Sequence, residues 1–389
     1  MTPPMTSRVL HLVSRLQPGG RGQTLWPTVL ALADAGVPQS LVLMDQRDAA
    51  QARLMLPAGV QLGGDSAGRA GLPAVRQAAT ALRGALADGP TLAVHVHGLT
   101  AGLLGRHVLR GSSVQAPMFF HLDSDTLATR IARGLDRSAF LVQRNRVDAL
   151  DPSGREHPGG PSRPVDEVYF NTERAEAETP LIVTTGQPGD LVYAQAFVQL
   201  AVMLTGLRPA LTFGWIGDAT PAVQQMLQAA QIRLMRGADA ADRAETLCRA
   251  WVYVSPDPAG SDARGMAEAM AAGVPCLGRQ VPAYRALIVH ALSGYLCNRN
   301  NDLIAAIARL VEAAPLRHEM GQAARTRARH RHGRHRFRAS MLLAHGLSPV
   351  PVLRSHHGVA RTRFQTVGTT TDNPVVASAR AAQPTDTSG

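Results

Sequence analysis

At 389 residues, with 45% hydrophobic side chains and 4% aromatics, the chain is too long for one small core and apolar enough to fold, so two α/β domains with extensions are expected. No apolar run reaches the roughly 18 to 20 residues that span a bilayer, and Met1 to Ser7 lacks a charged stretch followed by an apolar one, which argues against a membrane span or a secretion signal. The formal net charge is +11, and every one of the 40 basic residues is arginine because the chain contains no lysine.

In chain order, Val9 to Val13 is a short apolar run ending in the turn signal Gln17-Pro18-Gly19-Gly20. Leu25, Val29, Leu32 and Ala33 then recur at helical spacing up to Gly36, and Ser40 to Met44 makes a second strand. Leu92 to Val96, Pro117 to Phe120 and Phe140 to Val142 continue as buried strands, for which parallel pairing is expected. From Asp151 the composition shifts to Pro, Gly, Ser and charge, so a linker is placed from there to about Thr179. A second series follows with strands at Leu181 to Gly186, Leu211 to Gly217, Ala250 to Val254 and Pro275 to Leu277. Helices are expected over Gly265 to Ala272, Asp302 to Ala313 and Leu316 to Ala328.

The resulting division is a first domain over 1–165, a second over 166–345 and a disordered tail over 346–389, where Pro, Thr, Ser and Arg lack periodicity. Cys248, Cys276 and Cys297 are odd in number and far apart, which fits neither a zinc site nor a disulfide scaffold and suits a reducing cytoplasm. Arg325, Arg327, Arg329, Arg331, Arg334, Arg336 and Arg338 crowd one late segment. Two readings stay open for it: a solvated helix face, or a contact with an anionic membrane surface at the inner face of the membrane. Nucleic acid is not an expected partner, since no binding module or aromatic platform accompanies these arginines.

The segment Pro256 to Pro275 leads from a loop into a helix whose first free N–H groups suit a phosphate, with Glu268 one turn inside and able to accept from a ribose diol. A core helix with a capping loop is the alternative. Glu268-Ala269-Met270-Ala271-Ala272-Gly273-Val274-Pro275, followed by Ser293-Gly294-Tyr295-Leu296, closely resembles the signature of the retaining group 1 glycosyltransferases. Weaker echoes are Val9-Leu10-His11 with Gly19-Gly20, Val94 to Gly98, Phe120-His121, Pro164-Val165-Asp166 with Phe170, and Ile216-Gly217-Asp218.

The resemblance implies the GT-B architecture: two Rossmann-like domains with parallel sheets facing each other across a cleft. It implies transfer of a hexose from a nucleotide-diphosphate sugar to a glycan or lipid-linked acceptor, with no cofactor and no metal. Glu268 would hold the ribose, and His121 would contact the donor hexose, unless it is simply a hydrogen-bonded strand-end histidine. Gly19, Gly20, Gly217 and Gly265 would line the donor site; the family's own cations are missing here, and Arg21, Arg264 or Arg279 could supply positive charge to the phosphate in their place, a plain surface role being the alternative for each. Of His95 and His97, at most one is expected to face the cleft.

Three positions depart from the family pattern. Gly260 stands where the family has its first glutamate, and Gly186 to Leu191 lacks the expected arginine and lysine. Arg21-Gly22 replaces an acidic residue after the glycine pair. A charged hydrogen bond to phosphate is worth roughly 1.5–3 kcal/mol. The alternative to an active transferase is therefore a catalytically impaired relative acting as partner or scaffold in glycan assembly.

Overall fold

The computed structural model describes residues 7–16, 25–63, 72–114, 116–121, 146–147, 164–186, 189–260 and 262–347. The first sheet contains β1 (Arg8–Val13), β2 (Gln39–Leu43), β3 (Val60–Gly63), β4 (Thr91–His97), β5 (Met118–His121) and β6 (Arg146–Val147), all parallel, in the order β3-β2-β1-β4-β5-β6. Its helices are α1 (Leu25–Ala33), α2 (Ala49–Met55), α3 (Leu72–Ala87) and α4 (Leu99–Arg110).

After α5 (Glu167–Asn171), the second sheet repeats the plan. It comprises β7 (Leu181–Thr185), β8 (Thr212–Ile216), β9 (Arg233–Met235), β10 (Val252–Ser255), β11 (Cys276–Arg279) and β12 (Gly294–Cys297), in the order β12-β11-β10-β7-β8-β9. Its helices are α6 (Leu191–Leu207), α7 (Pro221–Ala229), α8 (Ala240–Arg249), α9 (Ala263–Ala271), α10 (Pro282–Leu287), α11 (Asn300–Glu312), α12 (Ala314–His332) and α13 (Arg334–Ala344). Both sheets are doubly wound, and strand order reverses between β1 and β4 in one and between β7 and β10 in the other. Connections leave in opposite directions at such a point, so a crevice opens beyond the carboxyl ends of the two strands.

Alternation along β1 explains the layering. Leu10 and Leu12, with Val94 and Val96 of β4, pack on Ala78 and Leu82 of α3 and Leu104 and Val108 of α4. Val9, Ala93 and Phe119 point to the other face, against Ala31 and Leu32 of α1 and Phe337, Met341 and Leu342 of α13. The chain therefore returns from the second domain to cover the first sheet. The boundary drawn from composition put 334–344 with the second domain, whereas the apolar face of that helix is buried on the first.

The predicted linker also ends too late. Val165, Tyr169 and Phe170 are buried in the second domain's core, because α5 carries three apolar residues that pack beside α8 and α9. The strand expected at Phe140 to Val142 and the tail beyond Leu347 lie outside the described residues. The arginine-rich segment is largely committed to the fold. Arg325 donates to Phe170 O and Thr172 O, Arg327 to Leu287 O and Ala286 O, and Arg329 lies 4.6 Å over the Phe170 ring. Arg334 pairs with Asp34 on α1's C-terminal side. Backbone carbonyls, rather than solvent alone, are the partners that explain much of this charge.

Candidate functional site

β10 ends at Ser255, one of the two strands at the reversal point of the second sheet, and a loop with Gly260 at φ +70° carries the chain to α9. Asp262 caps that helix: Oδ1 accepts the Gly265 N–H at 3.2 Å, which satisfies one of the donors a helix start leaves open. Its Oδ2 accepts from Thr185 Oγ1 at 2.6 Å, from Tyr193 OH at 3.3 Å and from Tyr253 OH. Thr185 is the last residue of β7, so the carboxylate sits between the ends of β7 and β10, turned inward although the residue as a whole is half-buried. Burial pushes its carboxyl up to about 7, against the hydrogen bonds from Thr185 and Tyr253. The helix start that the sequence offers to a phosphate thus already holds a carboxyl group belonging to the chain.

Gly265 is required by this packing. A Cβ there would overlap Thr185 Oγ1 and stand 2.5 Å from Asp262 Oδ1. Gly265→Ala is expected to lower stability by about 1–3 kcal/mol, the usual range for overpacking, in a urea titration of the full chain. A change within about 0.5 kcal/mol would mean that the Asp262–Thr185 contact is loose.

Glu268 is 5% exposed. Its carboxylate lies 2.8 Å from Arg264 Nε and 3.4 Å from Arg243 Nε of α8. Arg243 also donates to Tyr169 OH at 3.0 Å and to Gly237 O at 3.1 Å, and Arg264 Nη1 donates to Pro164 O at 3.0 Å. Burial alone would raise the Glu268 carboxyl, but Arg264 and Arg243 hold it below its ordinary value. The residue is therefore an ionised carboxylate tied to two guanidinium groups, one from its own helix and one from a neighbour. Sequence reasoning found Glu268, Arg264 and Gly265 but not Arg243, Tyr169 or Thr185, which reach the site only through chain crossing. The hydrophobic periodicity of α8 gives no hint that its arginine points inward.

Gly217 follows β8 at φ +103° and donates to Met235 O at 3.3 Å, a conformation that favours glycine. Beyond the ends of β11 and β12 an open cavity of about 480 Å³ is bounded by Pro258, Arg279, Val281, Cys297 and Asn298. Arg279 donates to Pro256 O, Asn298 O and the Asn300 side chain, so its charge is already engaged within the fold. Gly19, Gly20 and Arg21 lie outside the described residues.

His121 ends β5 and is 1% exposed; its Nε2 is 2.7 Å from His95 Nδ1. His95 and His97 are 0% and 3% exposed, so neither faces an open cleft, where at most one was expected to. Residues two apart on a strand share a face, and this face is covered by α1 and α13. His11 of β1 and His345, just after α13, join the same group, which sequence spacing gave no means to foresee.

Residues 222–327 match the family model of glycosyl transferases group 1. No curated protein sequence matches the chain. Among solved structures, a glycosyltransferase from Rickettsia africae is similar at 11% identity and TM-score 0.63, over 88% of this chain and 98% of that one. HepE from Anabaena, solved with UDP and glucose, is similar at 14% identity and TM-score 0.62, over 87% and 98%. A sucrose-phosphate synthase from Thermosynechococcus elongatus is similar at 15% identity and TM-score 0.57, over 86% and 97%. The fold is accordingly GT-B, with two Rossmann-like domains built on parallel sheets.

Proposed function

We propose that this chain is a glycosyltransferase that moves a hexose from a nucleotide-diphosphate sugar to a glycan or lipid-linked acceptor. The observation that carries the reading is the position of α9. Its amino end meets the reversal point of the second sheet, where ligands of doubly wound folds collect, and Glu268 stands in its second turn as an ionised acceptor. Glu268 takes the ribose hydroxyls, Gly265 and Gly217 allow close approach of the nucleotide, and Arg264, whose side chain is 35% exposed, supplies positive charge to the diphosphate. Two guanidinium groups fix the carboxylate, so its lone pairs are oriented before substrate arrives, a form of preorganisation that lowers the cost of binding. His121 is 1% exposed and held against His95, which favours a hydrogen-bonded strand-end histidine over a contact with the donor hexose. The match over residues 222–327 supports this assignment, since it includes Arg264, Gly265 and Glu268.

A second reading is favoured by one observation, the Asp262 carboxylate at the α9 amides. An impaired relative that keeps the fold, and serves as partner or scaffold in glycan assembly, would have no need to vacate that position. The two readings separate in one experiment on the full chain. Uridine, guanosine and thymidine diphosphates are screened by thermal shift, and the matching nucleotide sugars by hydrolysis. A transferase gives a rise of several degrees with one base and slow release of its sugar, because a ligand held by the native state alone must raise the melting point. A shift without turnover supports the scaffold reading, and no shift with any of the three counts against a nucleotide site altogether.

A further inference from the structure

We infer that the first domain contains a metal site, made by His11, His95 and His97, for a divalent ion of imidazole preference such as zinc. One ring nitrogen from each of these buried residues lies within 4.8 Å of the other two. They come from adjacent strands: His11 of β1 is in register with His95 of β4, and His97 lies two residues further along. Period-two alternation puts all three on the face beneath α1 and α13.

Hydrogen bonds on the far side of two rings decide where their lone pairs point. His11 Nε2 is 2.9 Å from Gln39 Oε1, and Gln39 is oriented by its own Nε2, which donates to Val29 O at 3.0 Å. His11 therefore carries its proton on Nε2 and its lone pair on Nδ1. His345 Nδ1 donates to Met341 O at 2.7 Å, which leaves His345 Nε2 as the acceptor for His95 Nε2 at 2.9 Å. His95 likewise keeps its lone pair on Nδ1. Metal-ligating histidines ordinarily give their second nitrogen to a carbonyl or another acceptor in this way, fixing both tautomer and ring.

One of the three separations already suits a small ion, while the set as a whole lies within 4.8 Å and must draw in. His11 Nδ1 and His97 Nε2 are 3.4 Å apart, close to the roughly 3.3 Å edge of a tetrahedron whose metal–nitrogen bonds are about 2.0–2.1 Å. Occupancy requires His97 to carry its proton on Nδ1, and His121 Nε2 to give up its present contact with His95 Nδ1. Three neutral imidazoles leave one coordination position for water or an anion. Imidazole sets of this kind favour zinc, copper or nickel over magnesium or calcium, which prefer oxygen. The ion would staple β1 to β4 and, through His345, hold the end of α13 on the first sheet. None of its three ligands is among the donor-site residues proposed above, and its test reads metal binding rather than turnover, so it stands or fails separately.

The test uses the full chain after chelator treatment, titrated with cobalt(II) and then zinc(II). One equivalent of cobalt is expected to give the intense visible bands of a tetrahedral site, bleached by zinc, and zinc is expected to raise the melting temperature on the order of 5 °C or more. His97→Gln should abolish the bands. Gln39→Leu keeps all three ligands but removes the acceptor behind His11, and should weaken affinity about 10–100-fold. Loss of the exposed competitors in a His330→Gln, His335→Gln chain should change nothing. The proposal is overturned if wild type shows no tetrahedral bands, if binding survives His97→Gln, or if it is the exposed pair whose removal abolishes it. Should His97→Gln fail to fold, an unchanged affinity in Gln39→Leu also overturns it.

Discussion

Glu268→Ala is expected to lose about 3–5 kcal/mol of stability as well as turnover. The carboxylate is buried between Arg264 and Arg243, and Arg243 is itself only 8% exposed at its side chain. Removing the acid leaves that guanidinium in low dielectric with one hydroxyl and one carbonyl as partners, and breaking a buried pair from one side is far more costly than replacing both sides. A loss of this size lowers the melting temperature by on the order of 10 °C. Pairing Glu268→Ala with Arg243→Met should recover part of it, because the stranded charge is gone. The measurement is a double-mutant cycle by thermal and urea denaturation. A single-mutant cost below about 1 kcal/mol would show that the pair is not buried in solution. The same numbers govern how activity is read: loss of sugar transfer in Glu268→Ala speaks for ribose binding only when assayed well below the variant's melting point.

Asp262 gives the second large effect, and its sign is opposite to that of an ordinary salt-bridged acid. Burial raises the folded-state carboxyl to about 7, while the unfolded chain titrates near the usual value of 3.8. The folded state therefore binds the extra proton between those values, so the contribution to stability is full below about pH 4 and is lost as pH rises through about 7. Each pKa unit corresponds to about 1.4 kcal/mol, which makes the total swing on the order of 4 kcal/mol. Asp262→Asn keeps one acceptor, for the Gly265 N–H, turns its amide N–H2 toward the Thr185 hydroxyl, and cannot ionise, so its stability between pH 4 and pH 9 should be flatter than wild type. An identical pH profile in both chains would refute the raised carboxyl.

The same group bears on nucleotide binding under the proposed function. A diphosphate approaching the α9 amides meets the Asp262 carboxylate, and two like charges a few ångströms apart in a partly buried site repel by several kcal/mol. Nucleotide affinity should then fall up to about tenfold per pH unit above 7, and Asp262→Asn should remove that dependence. Affinity that ignores both pH and the substitution would mean the diphosphate binds elsewhere.

Much of the architecture was determined by the sequence alone. Strand-length apolar runs separated by helical periodicity follow from the demand that each sheet be buried on both faces, so the strands at Val9, Ser40, Leu92, Leu181 and Val252 are legible within a residue or two. The helix around Glu268 is equally legible, from its small residues and the glycine and proline that end it. Short edge strands such as Val60–Gly63 and Arg233–Met235 are not, because an edge exposes half its side chains and needs no apolar run.

What only the tertiary structure decided are pairings between residues far apart in the chain. Arg243 meets Glu268 because α8 packs against α9; Asp262 meets Thr185 because β7 and β10 are neighbours; His345 meets His95 because α13 folds back across the first sheet. Periodicity reports which face of an element is buried. It carries no information on which buried polar group will find which partner, since that depends on how whole layers are stacked and where the chain returns to cover them.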